Sequence, residues 1–180
     1  MEYFLNAIHY CIWRIYMEIG NTIGKITNKI LAPIPKYFFT KYYRKKYNER
    51  LPNERKKADI FLHNKNDGYY IGLANSLFGE IYSGYSCFIS FVSVGFAIRG
   101  SNEFNYCKIM ILLIIPIGLA FIPAYKAVFS GDRYLEYFKQ FEKEDEAWHK
   151  KWKRRTIAFC VGSVITTLLG IAAAFAIAIL

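Results

Sequence analysis

The spacing in the sequence that most suggests chemistry is that of Glu146 and His149, which matches the Glu-x-x-His motif of di-iron carboxylate sites. Glu142 lies one helical turn before this pair. Di-iron chemistry needs a second such motif and further carboxylates on facing helices, and neither His9 nor His63 belongs to one. We therefore predict no metal site and no cofactor.

The cysteines have no paired spacing of the kind that metal sites and disulfide scaffolds use. They are Cys11, Cys87, Cys107 and Cys160. Three fall in or beside apolar segments, which is typical of small buried thiols, and Cys107 is expected outside the membrane. The sequence also contains no glycine-rich phosphate loop and no nucleophile elbow. These observations predict no catalytic residues, so the protein is not expected to be an enzyme.

Composition narrows the class of protein before any helix is placed. The chain has 180 residues, 54% of them hydrophobic, and a formal net charge of +10 from 24 Lys and Arg against 14 Asp and Glu. This hydrophobicity excludes a disordered chain, and four cysteines in a chain of this length exclude a disulfide scaffold. A chain both apolar and basic is typical of a membrane protein or a nucleic-acid-binding protein.

Three long windows contain no Asp, Glu, Lys or Arg, and together they make up one third of the chain. They are residues 81–98, 109–125 and 156–180. A helix needs about 20 apolar residues, within a range of about 17 to 25, to cross the hydrocarbon of a bilayer. We therefore predict an all-α integral membrane protein with three transmembrane helices.

The distribution of positive charge predicts the topology. The excess of Lys and Arg is concentrated in residues 36–57 and 126–155, and short segments rich in these residues stay in the cytoplasm. This predicts a cytoplasmic N-terminus, an external loop at residues 99–108 and a C-terminus at the outer face. Residues 69–180 contain two spans, an aromatic and charged segment at residues 133–153, and a final span. This layout resembles that of small membrane proteins of Bacteroidota and their mobile elements. We accordingly expect a multi-pass protein of a bacterial inner membrane.

Residues 3–31 carry apolar side chains at three- or four-residue spacing, which is the helical period. The positions are Phe4, Ile8, Ile12, Ile15, Ile19, Ile23, Ile26 and Ile30. Pro33 and Pro35 are expected to end this helix. Two interpretations are open. The helix either lies in the membrane interface as an amphipathic helix or packs against the other helices.

A basic and aromatic stretch follows the prolines, and Arg44, Lys45 and Lys46 lie within it among tyrosines and phenylalanines. This mixture of cations and rings is typical of a membrane interface. It also occurs in proteins that bind single-stranded nucleic acid. Because three spans occur in the same chain, we predict contact with anionic lipid headgroups and no nucleic acid.

Residues 132–155 are predicted to form one long juxtamembrane helix that runs into the last span. Its aromatic residues share one face, and an exposed aromatic stripe needs a partner: the membrane surface, the N-terminal helix or another protein. The stripe consists of Tyr134, Phe138, Phe141, Trp148 and Trp152. Trp148 and Trp152, with Arg154 and Arg155, are also expected to anchor the helix at the lipid interface.

Small and polar residues mark the inner faces of two spans. The last span carries a row at strict intervals of four, namely Ala158, Gly162, Thr166, Gly170, Ala174 and Ala178. Such a row lets helix backbones approach closely in lipid, so it predicts a packing interface within one chain or between copies. The first span carries a polar stripe, namely Ser83, Ser86, Ser90 and Ser93. Glu80 is expected at the edge of this span, with Ser76 as its polar neighbour.

Four segments are therefore expected: an interfacial helix at 1–35, a basic aromatic cytoplasmic hinge at 36–68, a transmembrane hairpin at 69–129, and a juxtamembrane helix with the final span at 130–180. These features favour a non-catalytic membrane scaffold or adaptor that forms a homo-oligomer or binds a membrane or cytoplasmic protein. The alternative is an oligomeric pore, as in a phage holin or a membrane-permeabilising defence effector, with the polar stripe facing water.

Overall fold

The described part of the chain is almost entirely helical. The structure is a computed structural model that describes residues 1–31, 41–100 and 106–179, except for the side chains of residues 28, 31 and 41–49. The helices are α1 (Glu2–Leu31), α2 (Lys41–His63), α3 (Tyr69–Arg99), α4 (Tyr106–Val128), α5 (Arg133–Phe141) and α6 (Glu146–Ile179). A short 3-10 turn, Ser130–Asp132, joins α4 to α5. No strand occurs in the described ranges.

Three stretches are long and apolar enough to cross a membrane. They are α3, α6 and the stretch Tyr106–Phe141 that contains α4 and α5. At about 1.5 Å per residue, α3 extends over about 46 Å, whereas the hydrocarbon of a bilayer is about 30 Å thick. Helix α3 is longer than its charge-free window because it begins at Tyr69, 12 residues before Ile81. These three helices indicate a membrane protein.

The chain divides into two compact units. The bundle unit comprises Met1–Cys11 and Ser76–Leu180, and the basic unit comprises Ile12–Asn75. Most of the apolar length of α3, and all of α4, α5 and α6, belongs to the bundle unit. The basic unit holds most of α1, the charged helix α2 and the first turns of α3.

Within the bundle unit, α3 and α6 pack side by side and run in the same direction. A Cβ atom added at Gly170 of α6 would lie 2.8 Å from the Cα of Phe88, and one added at Gly95 of α3 would lie 2.9 Å from the Cα of Ala174. Backbones this close leave no room for larger side chains, as expected of packing between helices in lipid. Because contacts advance along both helices together, α3 and α6 are parallel.

The juxtamembrane region differs from the single helix predicted for residues 132–155. Helix α5 ends at Phe141 and α6 begins at Glu146. Asp145 caps the new helix, because its Oδ1 accepts a hydrogen bond from the backbone N–H of Trp148 at 2.7 Å, the usual contact between an N-cap side chain and the third helical residue. The last span is thus part of α6, and α5 is a separate helix.

The aromatic stripe of α5 and α6 packs against the first turns of α1, which is one of the three partners that the sequence left open. Phe138 and Phe141 are fully buried, and their ring centroids lie 5.1 and 5.6 Å from that of Tyr10. Trp152 is buried with its ring 5.8 Å from that of Tyr3. Aromatic pairs at these distances contribute about 0.5–1.5 kcal/mol each beyond the area they bury.

In the basic unit, part of the predicted hinge is helical. Helix α2 runs over Lys41–His63 and contains Pro52. The side chains of Arg44, Lys45 and Lys46 lie outside the described part of the structure, and so do residues 32–40. The described cations of α2 therefore begin at Arg50.

Candidate functional site

The Glu-x-x-His pair lies in the first turn of α6 and takes part in local contacts. Oε1 of Glu146 is 2.9 Å from Nζ of Lys150, and the ring of His149 lies 5.9 Å from that of Tyr10. Among the residues that the structure describes, no group of three or more His, Cys, Asp or Glu is placed to hold a metal ion. The pair contributes a surface ion pair and packing against α1.

The aromatic rings of α5 and α6 and of the first turns of α1 form one group of contacting rings, which we call the aromatic cluster. A buried histidine lies at its centre, and the sequence analysis assigned this histidine no role. The ring of His9 is fully buried. Its centroid lies 5.4–5.5 Å from the rings of Phe78, Phe129, Tyr134 and Phe138. These rings come from α3, the α4–α5 connection and α5, so His9 joins three parts of the bundle unit to α1. In the sequence, the only sign that His9 would be buried was its place next to Ile8 in the apolar row of α1.

Asn6 ties the start of α1 to the end of α4. Its Nδ2 donates hydrogen bonds to the carbonyl oxygens of Ala127 at 2.9 Å and Glu2 at 3.0 Å. Ala127 lies in the last turn of α4, where carbonyl oxygens have no N–H donor within their own helix. The hydrogen bond from Asn6 is partly buried and supplies this carbonyl with a donor, and a typical hydrogen bond contributes about 0.5–1.5 kcal/mol. The side chain therefore holds the N-terminal segment at this end of the bundle unit.

The predicted interface anchor separates into packed rings and exposed cations. Trp152 is buried and Trp148 is half-buried, and both contribute to the cluster around α1. Arg154 and Arg155 are exposed, and the guanidinium carbon of Arg155 lies 4.8 Å from the centroid of the Trp152 ring. A cation over a ring contributes about 0.5–1 kcal/mol at an exposed site. Of the four predicted anchor residues, Arg154 and Arg155 are therefore exposed, whereas Trp148 and Trp152 pack against α1.

Some residues of the predicted packing row of α6 lie at the contact with α3, and others do not. Three of its members face α3 closely, namely Gly162, Gly170 and Ala174. Of the other three members, Ala158 is exposed, and Thr166 and Ala178 are half-buried. Positions four apart advance by about 40° around a helix at each step, so a strict row of four cannot stay on one face.

Two residues that the predicted row omits donate hydrogen bonds from α6 to α3, and Tyr85 of α3 donates one to the carbonyl oxygen of Phe159 in α6 at 2.7 Å. Oγ of Ser163 donates to the carbonyl oxygen of Ile81 at 2.6 Å, and Oγ1 of Thr167 donates to that of Gly84 at 3.1 Å. Ser163 and Gly170 are seven residues apart and both buried, which is the spacing of a coiled-coil seam. A search for alternating intervals of three and four would have found these residues.

The polar stripe of α3 lies against other parts of the bundle unit. Ser86 and Ser90 are buried, and Oγ of Ser90 donates to the carbonyl oxygen of Leu113 in α4 at 3.0 Å. Ser83 and Ser86 donate to carbonyl oxygens of their own helix at 2.7 and 2.8 Å, and Ser93 is half-buried. Of these hydrogen bonds, the one from Ser90 joins two helices, as interhelical hydrogen bonds of hydroxyl groups do in lipid.

Glu80 accepts a hydrogen bond from Ser76, as the sequence predicted. Oγ of Ser76 donates to Oε1 of Glu80 at 3.1 Å, and both side chains are exposed. Ser76 lies one turn toward the start of α3, so the carboxylate is directed toward that end of the helix. This is the direction in which an ionised side chain near a membrane boundary reaches water.

The apolar row of α1 changes its surroundings along the helix. Ile8 and Ile12 are buried, whereas four later isoleucines, the isoleucine ridge, are 49–62% exposed. The ridge consists of Ile19, Ile23, Ile26 and Ile30. Lys25 and Lys29 are exposed on the same stretch. Isoleucines on one face and cations on the other are typical of helices that lie on a membrane surface.

Glu2 and Arg133 form an exposed ion pair beside Tyr137. Nη1 of Arg133 is 3.3 Å from Oε1 of Glu2, and a pair of this exposure contributes about 0–1 kcal/mol. Glu2, Arg133 and Tyr137 line one polar surface depression together with Glu136 and Gln140.

Comparison of the chain with protein families, curated proteins and solved structures finds no match. Function is therefore inferred from the residues of the chain itself.

Proposed function

We propose that the chain is a non-catalytic, multi-pass membrane scaffold or adaptor whose basic and aromatic cytoplasmic surface contacts anionic lipid headgroups. The isoleucine ridge carries the proposal, because the rest of the described chain leaves its four residues 49–62% exposed. Transfer of one isoleucine out of water is worth about 1.5–3 kcal/mol. Lys29 is exposed three residues after Ile26, and a lysine near an anionic surface adds about 1 kcal/mol. A homo-oligomer, or a complex with a membrane or cytoplasmic protein, is part of the proposal.

The two interpretations of α1 apply to different parts of the helix. Residues of its first turns, such as Leu5 and Ile8, are buried in the bundle unit. The isoleucine ridge belongs to the basic unit and is exposed. In this proposal the first turns pack against other helices and the later turns lie in the membrane interface.

The burial of the serine stripe supports a scaffold over a pore. A pore needs hydroxyl groups that face a water-filled lumen, whereas Ser86 and Ser90 are buried within one chain. The hydroxyl of Ser90 is also satisfied by a carbonyl oxygen of α4. We therefore retain the scaffold as the proposed function.

The parallel direction of α3 and α6 supports the proposed arrangement of three spans. In any chain with three spans, the first and third cross the membrane in the same direction. The contacts of Phe88 with Gly170 and of Gly95 with Ala174 have this direction. The orientation itself rests on the positive charge of residues 126–155, which the proposal places in the cytoplasm.

Cys107 tests the orientation. It is exposed at the start of α4, so a membrane-impermeant maleimide applied to the outside of intact cells should label it. The control is Cys107→Ser, which keeps the other three cysteines and should remove the external label. Labelling that requires permeabilised cells would reverse the proposed topology.

Depth measurements along α1 test the membrane contact. In a chain whose native cysteines are replaced by serine, single variants Ile23→Cys and Ile26→Cys would carry an environment-sensitive fluorophore. Both labels should be quenched by nitroxide-bearing lipids and shielded from aqueous iodide, because isoleucines of the ridge would lie in the bilayer interface. Labels at Asn21→Cys and Lys25→Cys serve as controls on the opposite face.

The control positions should show the reverse behaviour, with strong quenching by iodide and weak quenching by nitroxide lipids. The measurement uses the full chain in vesicles that contain anionic lipid. Equal iodide quenching at all four positions would show that the ridge lies in water, and the proposed membrane contact would then be wrong.

A further inference from the structure

A groove runs between α1 and α2 within the basic unit. It has a volume of about 610 Å³, which is within the range of about 300–1,000 Å³ typical of sites for small ligands. Asn21, Gly24 and Lys25 line it from α1, and Arg55 and Lys56 line it from α2. A Cβ atom at Gly24 would meet no other group, so this wall of the groove is open.

Contacts at one end of the groove hold the two helices together. Nε2 of His63 lies 3.2 Å from Oδ1 of Asn21 in α1, and Nδ1 of the same ring lies 3.1 Å from Oδ1 of Asp59. The ring of Tyr70, which is buried, packs so closely on Gly20 that no side chain would fit there. These contacts give the groove a closed end of fixed geometry.

The groove carries an excess of positive charge. Three cations, Lys25, Arg55 and Lys56, and one carboxylate, that of Asp59, line it, for a formal charge of +2. Among the side chains that the structure describes, none of the three cations has a carboxylate partner within 4 Å. Asp59 is engaged by His63 at the closed end. An anionic ligand would therefore find three cations whose charge is not compensated locally.

We propose that this groove binds the phosphate group of a soluble, multiply charged ligand. Arg and Lys side chains are the residues that proteins use to bind phosphate, Arg through its planar fork of donors and Lys as a point charge. The carboxamide of Asn21 supplies one more hydrogen-bonding group beside the cations. A ligand with two phosphate groups can contact cations on both helices.

The position of the groove on α1 favours a solute over a lipid headgroup. Asn21, in the groove, and Ile30, on the ridge, are nine residues apart, which is about 180° around the helix at 100° per residue. The groove therefore faces away from the isoleucine ridge. This choice of source rests on the proposed function, in which the ridge lies on the bilayer and the opposite face of α1 is in the cytoplasm.

Inorganic pyrophosphate is the probe for the groove. The full chain would be titrated by calorimetry in nanodiscs of neutral lipid, so that no anionic headgroup competes. Lys25→Gln, Arg55→Gln and Lys56→Gln should each weaken binding by about two- to fivefold, the range expected for one exposed charge. Asp59→Asn should strengthen binding by a similar factor, because it removes the one carboxylate found among the described residues that line the groove.

Lys57→Gln is the matched control. It removes the same charge from the same helix, but Lys57 lies outside the groove and pairs with Glu54 at 3.1 Å. Binding should be unchanged in this variant. A loss equal to that in Lys56→Gln would show attraction to the basic surface as a whole and would overturn the site.

Vesicles that contain phosphatidic acid separate the two sources of phosphate. Binding of pyrophosphate that depends on the groove residues supports the proposal. Vesicle binding that depends on the same residues, with no binding of pyrophosphate, overturns it in favour of a headgroup. If the ridge is exposed to iodide but pyrophosphate still binds in the groove, the proposed membrane contact fails and the groove site stands.

Discussion

Phe138→Ala should lower the free energy of unfolding by about 3–5 kcal/mol, the cost of truncating a fully packed phenylalanine. Phe138 is fully buried, and its ring contacts those of His9, Tyr10 and Tyr134. Its removal leaves a cavity among rigid rings that cannot collapse into it. Denaturation of the detergent-solubilised chain by urea, followed by tryptophan fluorescence, measures the change, because Trp148 and Trp152 belong to the same cluster.

Phe175→Ala is the matched control for this change. Phe175 lies on α6 with 66% of its surface exposed, so its truncation makes no cavity. We expect an effect within about 0.5 kcal/mol, as for other surface substitutions. An equally small effect of Phe138→Ala would mean that the aromatic cluster does not hold α1 in place.

Gly170→Leu should separate α3 from α6. A Cβ atom at position 170 would lie 2.8 Å from the Cα of Phe88 and 3.3 Å from the ring of Phe91. The first contact is with backbone, which cannot rotate away as a side chain can. Overpacking of a tight interface costs about 1–3 kcal/mol, and a leucine adds three further carbon atoms to the clash. The expected result is a lower melting temperature in detergent.

Gly118→Leu makes the same substitution where space is available. A Cβ atom at Gly118 of α4 would meet no group within 4 Å. This variant should keep the melting temperature of the unmodified chain, and it should raise the helix propensity of α4. Similar losses in both variants would contradict the close contact between α3 and α6.

The helical class and the three long apolar helices could be predicted from the sequence because each depends on local composition. A window without charge, such as residues 156–180, identifies a span without knowledge of any neighbour. The hydrogen bond between Ser76 and Glu80 is local in the same sense, since one helical turn brings the two side chains together.

The ends of the helices were harder to predict from the sequence than the helices themselves. The charged stretch around Glu142 and Lys143 has good helix formers, which favour one continuous helix over residues 132–155. The structure places a turn there, because Phe141 and Trp148 stack at 4.9 Å only when α5 and α6 are separate helices. Tertiary packing decided against local propensity at this point.

The packing face of α6 shows the same limit. A row of small residues at intervals of four suggested Ala158, which is exposed, and omitted Ser163, which is buried. Composition identified the right helix and three residues of its packing face, namely Gly162, Gly170 and Ala174, but not the whole face. The rotation of a helix is set by what it packs against, here the backbone of α3 at Ile81, Gly84 and Phe88.

The sequence by itself determined that this chain is helical and has three segments suited to a bilayer, because the length and hydropathy of a segment are properties of that segment alone. Only the tertiary structure decided that the aromatic stripe is buried against α1, that His9 lies among four rings, and that Lys25 shares a groove with Arg55 and Lys56. Each of these depends on residues far apart in the chain that meet only when helices pack, and no local pattern records that meeting.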